Sequence, residues 1–432
     1  MLYGAGKTTV SNNTTFIDSS TNNFTITRNG DAVQSGFNPF SGASNGAGFF
    51  DGVGDYLSNG SANLTTTGDI TVEFWAYLSS ASGYDTALTI GNEASGRWFF
   101  GFNNGSPVID RTGVGTTTFG SAVGINTWYH VAFVRSSNTV SCYVNGVSAG
   151  TPTSITGTIG NTSGFYVGAA SNASSPFQGY ISNLRVVTSA VYTSNFTPPT
   201  SPLTAISGTS LLLLMDNYSI VNSTSTNLPI SIFGNTAIST VQAPTGMSSS
   251  IFFDGAGDYL TIPNNGLFQF GTGDYTIEWW QYQTVLNSFP RIFQIGNYPT
   301  AFGVSVESGS FYYWTNTMSA AIRSVSGVYN TWTHFAVSRS GNVTKLFRNG
   351  VQLGADIPDT ANISNSSTAL TIGTETTPGA STYYSGYISN FRSVKGVALY
   401  TSNFTPASLP LPTTVTAPLV VTNNIYGVNQ IP

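Results

Sequence analysis

The sequence predicts an all-β protein built as two tandem antiparallel β-sandwiches. Three observations carry this: a composition of strand and turn formers, apolar positions with a period of two, and a duplication of the whole pattern at about 205 residues. At 432 residues the chain exceeds what one hydrophobic core usually supports. Hydrophobic residues make up 40% and aromatics 13%, which excludes disorder, whereas charged residues reach only 7% and leave solubility to hydroxyls and amides. Thr, Val, Ile, Tyr and Phe favour strands, Gly, Asn, Ser and Pro favour turns, and the helix formers Lys, Glu and Arg are scarce.

The duplication sets the domain plan. Phe50-Asp51-Gly52-Val53-Gly54-Asp55-Tyr56-Leu57 returns as Phe253-Asp254-Gly255-Ala256-Gly257-Asp258-Tyr259-Leu260, and Ile70-Thr71-Val72-Glu73-Phe74-Trp75 as Tyr275-Thr276-Ile277-Glu278-Trp279-Trp280. Asn126-Thr127-Trp128-Tyr129-His130 matches Asn330-Thr331-Trp332-Thr333-His334, and the turn Asn145-Gly146 matches Asn349-Gly350. Gly179-Tyr180-Ile181-Ser182-Asn183-Leu184-Arg185 matches Gly386-Tyr387-Ile388-Ser389-Asn390-Phe391-Arg392, and Tyr192-Thr193-Ser194-Asn195-Phe196-Thr197-Pro198 recurs 208 residues on. The offset drifts from 203 to 208, so insertions are confined to loops. A period this long corresponds to whole domains, each burying its own core. We place the first sandwich at 1–204, the second at 205–411 and an extended tail at 412–432, with the prolines of residues 198–202 at the boundary. The apolar stretch Ser210 to Met215 is expected to open the second copy, where the first has only Met1-Leu2-Tyr3. Leu419-Val420-Val421 is expected to pair with a neighbouring sheet or to start something further.

Within each copy Ile70, Val72 and Phe74 point one way, and Thr71, Glu73 and Trp75 the other. Asn-Gly turns suit hairpins. With no helix to cover the apolar faces, a second sheet must do so, which favours a sandwich; a closed barrel satisfies the same pattern.

The combination Phe-Asp-Gly-x-Gly-Asp-Tyr-Leu, Ile-x-Glu-x-Trp, Thr-Trp-x-His, the Asn-Gly hairpin and Gly-Tyr-Ile-Ser-Asn-x-Arg resembles laminin G-like domains of the concanavalin A-like lectin and glucanase superfamily, across nearly the whole chain. The phrasing of residues 20–31 and the closing Tyr-Thr-Ser-Asn-Phe-Thr-Pro is similar to repeats in virion structural proteins of marine bacteriophages. The resemblance implies concanavalin A-like jelly rolls and a role in adhesion, glycan recognition or virion decoration. It also implies calcium at the sandwich rim, for which Asp51 with Asp55 and Asp254 with Asp258 are the candidates; the same acids suit tight turns as acceptors of backbone amides.

Other chemistry is narrowed by residue type. A net charge of −5 with a pI of about 4.9, and no run of Lys or Arg, argues against nucleic acid. No apolar run reaches the roughly 20 residues that span a bilayer. The single Cys142 forms no internal disulfide. Met1-Leu2-Tyr3 opens no ordinary signal peptide, so the chain is expected to leave its cell by another route, such as inside a virus particle, or to be part of something longer.

Retaining glycosidases need two acids on one face; Asp69 with Glu73 and Asp274 with Glu278 have that parity, but the Glu-x-Asp-x-x-Glu pattern of the related glucanases is missing. Glu73 and Glu278 are therefore expected to anchor a neighbouring strand or Arg, and His130 and His334 to make structural hydrogen bonds. No catalysis is expected, and no cofactor beyond calcium.

Sugars bind to flat aromatic faces beside fixed amides and hydroxyls. The paired Trp75/Trp280 and Trp128/Trp332 are assigned to the core. Trp98, Trp279 and Trp314 have no matching Trp and are expected to be freer to face solvent. With Tyr312, in the run Phe311-Tyr312-Tyr313-Trp314, they are the candidate glycan platform, the other reading being contact with the first copy or another subunit. The expected function is a non-catalytic adhesion or glycan-binding module at a virion surface or outside a cell, its partners being glycans, other virion subunits and further copies of itself. The alternative is a purely structural capsid-decoration or fibre component.

Overall fold

The computed structural model describes residues 2–4, 14–40, 46–216, 220–222, 229–263, 266–285, 289–297, 301–307, 309–315, 321–324, 328–364 and 368–412. Leu419-Val420-Val421 lies outside the described residues. Alternation of apolar and polar positions produces two facing sheets per copy, so each copy is a sandwich and not a barrel.

In the first copy one sheet runs, in spatial order, Val147–Ser154, Thr139–Val144, Trp128–Ser136, Ile70–Leu78, Gln178–Val187, Ala47–Asp51 and Val33–Ser35. The facing sheet runs Gly115–Thr118, Ser106–Arg111, Trp98–Asn103, Tyr84–Ile90, Phe165–Val167, Tyr56–Asn59 and Thr27–Asn29. The second copy repeats the plan around Tyr275–Gln283, flanked by Thr333–Ser340 and Ser385–Lys395, with a facing sheet from Ser231–Phe233 to Ala321–Ser324. Paired strands are antiparallel throughout, and among the described residues the only helix is the 3-10 turn Glu93–Ser95. The period-two reading holds at the level of side chains: Ile70, Val72 and Phe74 lie in the first core with Phe100, Phe133 and Leu184, while Glu73 and Trp75 point outward.

One strand sits elsewhere than expected. The apolar stretch before the second copy forms Thr209–Leu213, but it closes the first copy's sheet, with Leu213 opposite Leu184, Leu212 opposite Arg185 and Leu211 opposite Val186. The corresponding edge of the second copy is taken by Leu2–Gly4. Local sequence specifies a strand but not its partner, so the pattern alone does not reveal this exchange.

The outer face of each larger sheet carries a buried polar knot. In the first copy Arg185 Nε donates to Glu73 Oε1 at 2.9 Å, Tyr192 OH to Glu73 Oε2 at 2.8 Å, and His130 Nε2 lies 3.2 Å from the same oxygen. The second copy repeats it: Arg392 Nε to Glu278 Oε1 at 2.8 Å, Tyr400 OH to Oε2 at 2.9 Å, and His334 Nε2 at 3.0 Å. Arg185 reaches Glu73 because the ladder slips between Ser182 and Arg185, where Asn183 adopts a left-handed φ of 52°. The Asn183 amide then accepts Leu203 N at 2.8 Å, as Asn390 accepts Leu411 N at 3.0 Å.

The repeated closing phrase caps this knot. Tyr192 stacks on Phe196 with centroids 3.6 Å apart, and Tyr400 on Phe404 at 3.5 Å. Each Phe backbone rests on the Asn-Gly turn so closely that a Cβ on Gly146 would collide with Phe196 O, and one on Gly350 with Phe404 O. Arg135 and Arg339 end their strands by donating to loop carbonyls, Gly157 O at 2.7 Å and Ala361 O at 2.8 Å among them.

Burial alone would raise the Glu73 carboxyl, but the His130 hydrogen bond and the Arg185 charge outweigh it and hold it below its ordinary value of 4.5. Replacing Glu73 by Gln leaves Arg185 buried without its counter-charge, so Glu73→Gln should destabilise the first copy by about 3–5 kcal/mol in chemical denaturation. The native Glu73 contribution is present above the unfolded value and is lost as pH falls through the folded one, so the gap between wild type and Glu73→Gln should shrink below about pH 4. A gap that is under about 1 kcal/mol at pH 7, or constant with pH, would contradict the assignment.

Candidate functional site

Below the polar knot the outer face of each larger sheet is aromatic. The parity that puts Glu73 outward also puts Trp75 and Tyr77 outward, and Tyr77 stands opposite Trp128 and Tyr180 on the two flanking strands. In the first copy Phe37, Tyr77, Trp128, Tyr180 and Phe49 form one cluster, with centroids 4.9 Å apart for Phe37–Tyr77, 5.6 Å for Tyr77–Trp128 and 5.0 Å for Phe49–Tyr180. The second copy packs against one side of it, where Phe233 meets Phe49 at 6.2 Å and Ile230 and Ile232 join the same apolar cluster, while Tyr77 and Trp128 stay half-buried.

The second copy builds the same patch from Phe252, Tyr282, Trp332 and Tyr387. Its centroid separations are 5.8 Å for Tyr282–Trp332, 5.9 Å for Tyr282–Tyr387 and 5.0 Å for Phe252–Tyr387. Tyr282 and Trp332 are half-buried and the neighbouring Asn330 and Thr331 exposed, just as Tyr77 and Trp128 are half-buried and Asn126 and Thr127 exposed in the first copy; the difference lies at Phe252, half-buried where Phe49 is buried.

This inverts the expectation for the tryptophans. Trp98, Trp279 and Trp314, expected to be freer to face solvent, are 5%, 0% and 4% exposed. Trp279 packs between Phe293, Phe311 and Phe335, Trp98 lies in the first core, and Trp314 is covered by the Arg291 guanidinium 4.9 Å from its ring. Of the proposed platform only Tyr312 is partly exposed, since Phe311 and Tyr313 belong to the second core. The matched Trp75, Trp280, Trp128 and Trp332, assigned to the core, are half-buried on the outer faces. The signal was present in parity: Trp75 shares a face with Glu73 and Thr71, not with Val72 and Phe74.

The acidic turn gains a member. Asp31, Asp51 and Asp55 bring one carboxylate oxygen each within 4.8 Å of one another. Asp55 accepts Asp31 N at 2.7 Å and Asp51 N at 3.1 Å, and Asp51 accepts Val53 N at 2.6 Å. Asp258 likewise accepts Asp254 N at 2.8 Å and the Asn235 amide. The clamp is thus common to both copies, but Asn235 stands where the first copy has Asp31, and among the described residues Asp254 and Asp258 have no third acid. Asp31 also accepts Gly234 N at 3.1 Å, which places the trio where the two copies meet.

Burial, reinforced by the hydrogen bond with Asp31, pushes the Asp55 carboxyl up to about 8. Without a cation, burial and the neighbouring acids thus favour the protonated form of this carboxyl. Three hard oxygens fit calcium in type, while six to eight are needed, so backbone carbonyls or water would complete the shell.

Glu73 and Glu278 are fully buried beneath Tyr192 and Tyr400 and serve as the anchors of Arg185 and Arg392. Their partner acids at the same parity do other work: Asp69 accepts Ser137 N at 2.8 Å and Asp274 accepts Gly341 N at 2.7 Å, both at hairpin turns. No described helix is long and apolar enough to cross a membrane.

The mouse laminin alpha1 chain, domains LG4-5, is 12% identical over 88% of this chain and 92% of that one, with a TM-score of 0.30. The LG1-3 region of the laminin alpha2 chain is 12% identical over 80% and 61%, with a TM-score of 0.37. Domain 4 of AbnA, a GH43 extracellular arabinanase from Geobacillus stearothermophilus, in complex with arabinotriose, is 18% identical over 41% and 88%, with a TM-score of 0.33. Among curated proteins none matches. A family model described as the concanavalin A-like lectin/glucanases superfamily matches residues 50–194 and again 254–399, one match inside each sandwich, and the chain belongs to that superfamily.

Proposed function

We propose that the chain is a non-catalytic glycan-binding or adhesion module, displayed outside a cell or on a virus particle, whose platform is the Phe252, Tyr282, Trp332 and Tyr387 face. The observation that carries this reading is a pair of half-buried aromatics beside exposed amides and hydroxyls, Tyr282 and Trp332 next to Asn330 and Thr331, with Phe252 half-buried where the equivalent Phe49 is buried against the second copy. Sugars stack their C–H faces on such rings while amides and hydroxyls take the hydroxyl groups. Single contacts of this kind are weak and gain from display in many copies. The virion setting rests on the resemblance of the closing Tyr-Thr-Ser-Asn-Phe-Thr-Pro phrase. The non-catalytic assignment rests on the burial of Glu73 and Glu278 within ion pairs. A second reading is favoured by the contrast between Phe49 and Phe252: a face that takes a packing contact in the first sandwich is suited to a structural contact in the second.

On a glycan array probed with the full chain coupled to beads, Trp332→Ala should weaken binding about tenfold, equivalent to ~1.4 kcal/mol. Phe49→Ala, at the ring buried against Phe233, should leave the glycan affinity of the folded protein unchanged. Absence of any bound glycan, or equal binding by wild type and Trp332→Ala, would turn the assignment to the structural reading.

Calcium is part of the same proposal, with Asp31, Asp51 and Asp55 as its protein ligands at the junction of the copies. Because Asp55 must release a proton near pH 8 to bind, calcium affinity should rise with pH. Millimolar calcium should therefore raise Tm more at pH 8.5 than at pH 6, and Asp31→Asn should remove the difference. An unchanged Tm at pH 8.5 would exclude calcium from this turn.

A further inference from the structure

We propose that the edge of the Ser385–Lys395 strand on which Leu2–Gly4 lies is an exchangeable strand-acceptor site, and that it also takes the Leu2–Gly4 strand of a second copy of this chain. The argument begins with how each sandwich is closed. Thr209–Leu213 stands in sequence just before the second copy and closes the first. Leu2–Gly4 stands before the first copy and lies on the second.

The two closures are equivalent in register. Leu213 lies opposite Leu184 on one side and Asp18 on the other. Leu2 lies opposite Phe391 and Asn222, the residues that match Leu184 and Asp18 in the duplication. Each closing strand thus precedes one copy and completes the other.

Donor and acceptor sit on different copies, so the same pairing can be made between chains. Such a contact is heterologous: it uses different surfaces on the two partners and adds chains head to tail unless the rotation closes a ring. The hydrogen bonds are those of strand addition at a sheet edge, and they are the same within a chain or between chains. What separates the two arrangements is the effective concentration of the tethered strand, which a second chain matches only when chains are concentrated. Among the described residues the within-chain strand makes one residue pair with Ser385–Lys395 and three with Ile220–Asn222, whereas Thr209–Leu213 makes four with Gln178–Val187, so its hold on the acceptor strand itself is the weaker one. Exchange between chains follows when chains fold together at high concentration, and the inference is independent of any glycan.

The test refolds the full chain from denaturant at concentrations from micromolar to millimolar and sizes the products by light scattering after chromatography. The expected result is a ladder of monomer multiples that grows with refolding concentration and keeps the far-ultraviolet circular dichroism of the monomer. The double substitution Leu2→Pro with Tyr3→Pro removes two backbone donors from the strand and should reduce the ladder at least tenfold. A peptide of residues 1–13, added in excess during refolding of wild type, should suppress the ladder in the same way without altering the protein.

A single monomeric species at every concentration overturns the proposal, as does a ladder unaffected by both the double substitution and the peptide. Leu419-Val420-Val421 lines up with Leu211-Leu212-Leu213 at the offset of 208 and is the rival donor for the same edge. A ladder abolished by Val420→Pro but not by the Leu2 and Tyr3 substitutions assigns the edge to that segment and refutes the proposal.

Discussion

The buried carboxylate of Glu73, and of Glu278 in the second copy, is the constraint on which the outer architecture of each sandwich depends. It sits on the central strand of the larger sheet and gathers an arginine from one neighbouring strand, a histidine from the other and a tyrosine from the closing segment. A carboxylate removed from water must find charged or hydrogen-bonding partners, so satisfying it dictates where those three elements go. The arginine then sets the exit path of the chain, because Arg185 Nη1 donates to Thr204 O and Arg392 Nη1 to Pro412 O. From there the first copy's chain runs on to Thr209–Leu213, the strand that completes its sheet.

What could be read from the sequence follows from this division between local and distant causes. The strands Ile70–Leu78 and Tyr275–Gln283 were legible because alternation is a local property, and the two-sandwich plan because duplication preserves order. The polar knot was half legible: Glu73 as the anchor of an arginine could be read, but its convergence with Tyr192 depends on a chain reversal with no local signature. Asp31 escaped because it comes from a turn 20 residues before Asp51. The sign it left is a difference between copies, Gly30-Asp31 against Gly234-Asn235, which matters only once the turns are adjacent.

The tryptophans show where duplication misleads. Identity between copies does not by itself mark the core, because a core tolerates exchange of one large apolar residue for another, as Phe74 and Trp279 at equivalent positions demonstrate. The outer face has fewer substitutes. Trp75 packs edge-on to His130 at 5.3 Å and Trp280 lies against His334 at 5.4 Å, so the indole is tied to the knot and recurs with it.

The scarcity of charge has a consequence for recognition. Of the 13 Lys and Arg residues, Arg135, Arg185, Arg339 and Arg392 are buried and committed to carbonyl oxygens or glutamates. Few cations are left for the surface, and over the whole chain Lys and Arg are outnumbered by 18 Asp and Glu. Long-range attraction of an anionic partner is therefore weak, and discrimination falls to short-range contacts between aromatic faces, amides and hydroxyls. Such contacts suit neutral, hydroxyl-rich ligands and other copies of the same fold. In the first sandwich Phe49 and Tyr180 of that aromatic face are buried against the second sandwich, whereas the equivalent Phe252 is half-buried, so the second face keeps more of its ring surface within reach of such contacts.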